Sequence, residues 1–168
     1  MTADPRAGDE GADGFVPLVA ALALHAEPDV VARLVADGAA AWDGERMEDV
    51  VAGMRRYAVD LRLRVGGPRS GFTTFRKAAR LDLGEPRRTA DGWSVEIAWQ
   101  SATATPLFPV FSGTLTIRRN ELRLSGLYAP PGGVVGRIAD RALLHLAANG
   151  TARWMLSALD AAGAPATG

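Results

Sequence analysis

Proton transfer or covalent chemistry in this 168-residue chain would have to be built from few side chains, namely His25, His145, Lys77, Tyr57 and Tyr128. His145 falls near the border between an apolar stripe and the Arg141 side of a long C-terminal helical segment. An imidazole there, with its pKa near neutrality, could move a proton for a neighbouring ligand; the plainer expectation is a histidine hydrogen-bonded at the helix margin. His25 ends a strand beside Glu27 and reads as a surface or capping residue. Lys77 has the apolar parity of its strand. Burial would lower its pKa and suit it to a Schiff base or an anion contact, whereas one β-bulge would return the ammonium to water, and the bulge is the simpler expectation. Tyr57 and Tyr128 can each offer a hydroxyl to a ligand or satisfy a backbone carbonyl. Gly132, Gly133 and Gly136 open the last helix, where amides could hold an anion, but a loop after Pro130 and Pro131 needs glycine in any case.

The chain contains no G-x-S-x-G elbow, H-E-x-x-H, Walker loop or dinucleotide fingerprint, and its two histidines stand apart, so no metal or other cofactor is expected. The absence of cysteine removes disulfides, thiolate metal sites and thiol nucleophiles. Nineteen basic residues are matched by nineteen acidic ones with no basic block, which argues against nucleic acid as a partner. Hydrophobic residues make up 48%, enough for a packed core in one domain. Residues Met1 to Gly14 lack apolar periodicity and read as a disordered tail, with a single domain over 15–163 and a flexible end over 164–168. The apolar run from Phe15 to Ala26 follows an acidic leader and is too short to span a bilayer. A cytoplasmic protein without a membrane span is expected.

The elements that would position these side chains follow from periodicity. Val16 to His25 reads as a buried strand, and Pro28 opens a helix carrying Val31, Leu34 and Val35 before Gly38. Met47, Val50, Val51 and Met54 have the spacing of a second short helix. From Tyr57 the period becomes two: Tyr57, Val59, Leu61, Leu63 and Val65 alternate with polar residues or alanine. A long strand around Phe72 to Gly84 puts Phe75, Lys77, Ala79, Leu81 and Leu83 on one side, and a third run aligns Trp93, Val95, Ile97 and Trp99. Val110 to Arg118 and Glu121 to Tyr128 make a hairpin around Arg119 and Asn120. Arg76, Arg80, Asp82, Glu96 and Arg123 then form a solvated outer face with cross-strand ion pairs.

One-sided alternation calls for a cover, and the only segment long enough is the C-terminal helix from Val134 to Ala162. Its first half keeps Val135, Ile138, Ala142, Leu143 and Leu146 together; its second half turns Trp154, Met155, Ala158 and Leu159 inward and leaves Leu156 on the polar side. A bend or a change of packing partner near Gly150 is expected.

The stretch from Arg80 to Leu146 resembles the START-like superfamily, also called SRPBCC. The residues that carry the resemblance are Leu83-Gly84-Glu85-Pro86-Arg87, Trp99, Phe108-Pro109-Val110, Leu124-Ser125-Gly126-Leu127-Tyr128 with Pro130-Pro131, and Ala139-Asp140-Arg141-Ala142-Leu143-Leu144-His145. The resemblance implies an α+β helix-grip fold: a curved antiparallel sheet wrapped around a long C-terminal helix, with two short helices after the first strand. It also implies a cavity between sheet and helix for a lipid, a polyketide or an aromatic compound. By parity the lining would be Tyr57, Leu61, Phe75, Ile97, Trp99, Phe111, Leu115, Leu124 and Tyr128, with His145 in the roof; the same side chains would equally make a solid core. Three roles stay open at this point: an apolar-ligand binding module, a polyketide cyclase or dehydratase using His145 or Tyr128, and an interaction protein that pairs through the apolar helix surface around Trp154, for instance as a homodimer.

Overall fold

Each alternating run, laid extended, turns its apolar side chains to one side, and hydrogen bonding between neighbours joins these sides into a single face. The computed structural model describes residues 15–51, 53–67, 71–103, 110–129 and 138–165. In chain order they form β1 (Val16–Ala23), α1 (Pro28–Asp37), a 3-10 turn (Ala40–Trp42), β2 (Glu45–Val51), β3 (Met54–Gly67), β4 (Gly71–Leu83), β5 (Arg87–Thr89), β6 (Gly92–Ser101), β7 (Val110–Arg118), β8 (Glu121–Ala129) and α2 (Ile138–Gly163). The sheet runs β1-β8-β7-β6-β4-β3-β2, with β5 paired to β6 and every pairing antiparallel. Helix α2 packs against β3 towards one end of the sheet and against β1 and β8 at the other, so the sheet curls around it. This is the α+β helix-grip arrangement.

The second short helix is absent. Met47, Val50 and Val51 belong to β2, and Met54 begins β3 after a turn at Gly53, whose φ is 78°. The β2–β3 register shifts between Arg46 and Val50, and a bulged strand loses strict alternation, which is how its apolar residues acquire a helix-like spacing. A second correction concerns β1, which is buried on one face only: Leu18 is fully buried, while Val19 is 52% exposed on the other side. Leu127, also on that outer face, and Phe15 and Val110 are the other large exposed apolar side chains among the described residues.

Helix α1 closes one end of the concave face. Pro28 fills its first turn, and Asp29 accepts hydrogen bonds from Trp93 Nε1 at 2.8 Å and Arg88 at 2.9 Å. The indole bond, opposed by burial and reinforced by the Arg88 and Arg33 guanidinium groups, holds the Asp29 carboxyl below its usual pKa. At the other end, Arg55 donates to the carbonyls of Val35 and Ala36, a cation where the helix dipole is negative. Gly38 follows with φ 143°, a conformation that favours glycine, and a Cβ there would stand 3.3 Å from the Tyr57 hydroxyl, a tight contact.

Candidate functional site

Pairing registers place the expected lining residues in rows across the concave face. The longest row runs Val16, Tyr128, Phe111, Trp99, Leu81 and Tyr57, each directly opposite the next on the adjacent strand. On one side of it lies the row Leu18, Gly126, Gly113, Ile97, Leu83 and Arg55; on the other lie Ser101, Ala79 and Val59. No carboxylate or imidazole stands in these three rows. Tyr57, Leu61, Ile97, Trp99, Phe111, Leu115, Leu124 and Tyr128 are all between 0 and 3% exposed and belong to one cluster. The side chains of Phe75 and His145 lie outside the described residues, as do Gly132, Gly133 and Gly136.

Within the long row the Trp99 and Phe111 rings stack with centroids 4.1 Å apart and planes 18° from parallel. Gly113 and Gly126 face each other across β7 and β8, and a Cβ on either would come within 2.8 Å of Phe111 Cζ. The glycine pair is thus the bed on which that ring lies. Sequence parity identified most of this row but did not single out Leu81 as its centre; only the β4–β6 pairing shows that it separates Trp99 from Tyr57.

Lys77 stands directly opposite Leu61 on the same face, two positions along β4 from Ala79. The β3–β4 register is unbroken from Arg55 opposite Leu83 to Gly67 opposite Gly71, so the expected bulge is absent. The lysine is half-buried, its stem on the apolar side of the sheet, in the manner of long amphipathic side chains.

Helix α2 supplies the cover. Among its described side chains Ala148, Thr151, Ala152, Met155, Leu156 and Leu159 are buried, a single stripe at spacings of three and four. Leu156 therefore faces inward, and Trp154 moves to the flank, half-buried, with the Arg62 guanidinium 5.6 Å from its ring. Wheel reasoning misplaced the stripe because it weighted the large indole over the small residues that allow close approach. Polar links then fix the helix. The Thr151 hydroxyl donates to the Arg62 carbonyl at 3.3 Å, and Trp42 Nε1 donates to the Met155 carbonyl at 3.0 Å. Asp160 accepts from the backbone N–H groups of His25 at 2.8 Å and Ala26 at 3.3 Å, and its second oxygen lies 2.9 Å from His25 Nδ1. The His25 side chain is 76% exposed and pairs with a carboxylate at the surface.

Across β3, β4 and β6 the opposite face of the sheet is mostly polar. Arg56 and Asp82, paired across β3 and β4, make a two-pronged ion pair at 2.7 and 2.9 Å with side chains only 12% and 8% exposed, so Asp82 is not solvated as expected. A groove of about 100 Å³ beside it is lined by Gly84, Glu85, Arg87, Ser94, Glu96 and Thr114. Among the described residues no group of three or more His, Asp or Glu could hold a metal ion, and no helix is long and apolar enough to cross a membrane.

No family model and no curated protein matches the chain. Among solved structures it is similar to the di-domain ARO/CYC StfQ from the steffimycin biosynthetic pathway, at 14% identity and TM-score 0.55, over 90% of this chain and 51% of that one. It is also similar to the di-domain ARO/CYC BexL from the BE-7585A biosynthetic pathway, at 11% identity and TM-score 0.59, over 92% of this chain and 52% of that one. The chain spans about half the length of these di-domain proteins. At such identities the likeness is one of fold.

Proposed function

We propose that the protein binds an apolar small molecule between the concave sheet face and α2. The observation that carries this reading is the row Tyr128, Phe111, Trp99, Leu81 and Tyr57, an aromatic-rich band crossing five strands under one helix. Such a band offers ring stacking and apolar contact, with hydroxyl and indole groups to orient a guest. The aromatase/cyclase proteins that share the fold support a polyketide as the first ligand class to test. Binding is favoured over catalysis because the band and the rows flanking it pair no acid with a base, the usual requirement for proton transfer.

Titration with the uncharged apolar fluorophore Nile red tests the reading. Saturable, blue-shifted emission corresponding to one site per chain is expected, weakened at least fivefold when Leu61 is replaced by glutamine in a variant that remains folded by circular dichroism. Emission that never saturates, or that ignores the substitution, would refute binding at this face.

A further inference from the structure

Three buried donors have no hydrogen-bond acceptor among the described residues; one, Arg55 Nε, lies 3.2 Å from the Glu85 carboxylate, and the other two are uncharged. Tyr57 Oη and Trp99 Nε1 are buried without a hydrogen-bond partner among the described residues, in side chains that belong to residues 3% and 1% exposed. Comparable groups nearby are paired: Trp42 with the Met155 carbonyl, Trp93 with Asp29, and Thr151 with the Arg62 carbonyl. The two orphans therefore do not reflect loose packing of polar groups in general. Phenylalanine at either position would keep an aromatic ring and avoid the cost of a buried unsatisfied donor.

Their placement is also shared. Tyr57 and Trp99 flank Leu81 in the long row, two strand spacings or about 10 Å apart along the sheet. Both donors are uncharged, and Trp99 has only the neutral Leu81, Phe111, Ile97 and Ser101 as its row and face neighbours. At the Trp99 edge a full anion would lack a counter-charge, whereas a carbonyl or phenolic oxygen needs none; at the Tyr57 edge Arg46 stands opposite on β2 and Arg55 two positions along β3.

We infer that these two groups select the ligand. They fit an otherwise apolar ring compound carrying carbonyl or phenolic oxygens on two separated edges, in preference to a bare hydrocarbon or a fatty acyl chain. The inference rests on the binding role proposed above and adds the chemistry of the guest. Both donors are sealed from solvent, so a guest reaches them as the surrounding side chains part, and the hydrogen bonds it accepts offset that opening.

The test compares 1,8-dihydroxyanthraquinone, anthracene and palmitate as probes of the full chain and of Tyr57→Phe and Trp99→Phe, by fluorescence titration and thermal melting. The unsubstituted chain should bind the quinone at least about tenfold more tightly than either other probe, two neutral hydrogen bonds being worth that much or more. Each variant should lose about fivefold for the quinone and nothing for anthracene, and should melt, without ligand, no lower than the parent. Equal affinity for quinone and anthracene, or variants that retain full quinone affinity, would overturn the donor assignment while leaving the binding role standing. Failure of all three probes to bind would overturn both.

Discussion

Replacing Asp160 by alanine would unfasten the C-terminal helix from the segment that follows β1. The carboxylate accepts the backbone N–H groups of His25 and Ala26 and the ring nitrogen of His25. The ring contact contributes little, because the His25 side chain is 76% exposed. Ala26 is only 7% exposed, so its N–H loses an acceptor where water has little access. One bond to a charged acceptor is worth about 1.5–3 kcal/mol, and an abandoned donor a comparable amount, so a net loss of about 2–3 kcal/mol at neutral pH is expected. In a domain of this size that is roughly 4–12 °C in melting temperature. Asparagine keeps one acceptor oxygen and should lose about 1 kcal/mol. Burial alone would raise the Asp160 pKa, but the bonds from the His25 ring and from the two backbone N–H groups outweigh it and hold the carboxyl below its ordinary value. A depressed carboxyl pKa stabilises the folded state above the unfolded pKa, so the gap between parent and Asp160→Asn should be constant above about pH 4 and close as the pH falls through the folded value. Urea denaturation of the three proteins from neutral to acid pH measures both effects. An alanine variant within about 0.5 kcal/mol of the parent, or a gap that persists undiminished in acid, would refute the reasoning.

Gly126→Ala should cost about 3 kcal/mol or more, because the added carbon would lie 2.3 Å from the Ser112 carbonyl oxygen and 2.8 Å from Phe111 Cζ. Gly53→Ala, with φ 78° but nothing within 4 Å, should cost about 1 kcal/mol, and equal losses in chemical denaturation would show that the bed under Phe111 is not tight. Arg56→Met leaves the Asp82 carboxylate with 8% exposure and no bidentate partner, for a loss of about 3 kcal/mol that Asp82→Leu in the same chain should largely restore; a double variant no more stable than the single one would contradict this.

The sheet was legible where one face alone is covered. Tyr57 through Val65 alternate without interruption, and β3 runs from Met54 to Gly67. Arg119 and Asn120 read as a hairpin turn, and Asn120 takes a positive φ of 102°, which asparagine tolerates better than most residues. β2 was not legible, since a register shift removes the period on which a strand is recognised. Lys77 was placed on the correct side by parity, but the bulge invoked to move it was unnecessary: a lysine stem can lie along apolar surface. The stripe on α2 escaped because small residues such as Ala148 and Ala152 carry little hydropathic signal while permitting the closest packing. Of the candidate site, parity supplied the members and the pairing supplied their order. Tyr57 and Trp99 were both named from the sequence, but that neither donor has an acceptor depends on contacts between residues far apart in the chain.

The fastenings of α2 join positions separated by 89, 113 and 135 residues, for Thr151 to Arg62, Trp42 to Met155 and His25 to Asp160. Contacts so distant in sequence form late, since loop closure must be achieved before they give any return. During synthesis the strands leave the ribosome well before the helix that shields them, with Trp99 and Phe111 still uncovered. The nascent chain thus passes through an interval in which its stickiest surface is open, and chaperone engagement should peak before α2 has emerged from the ribosome.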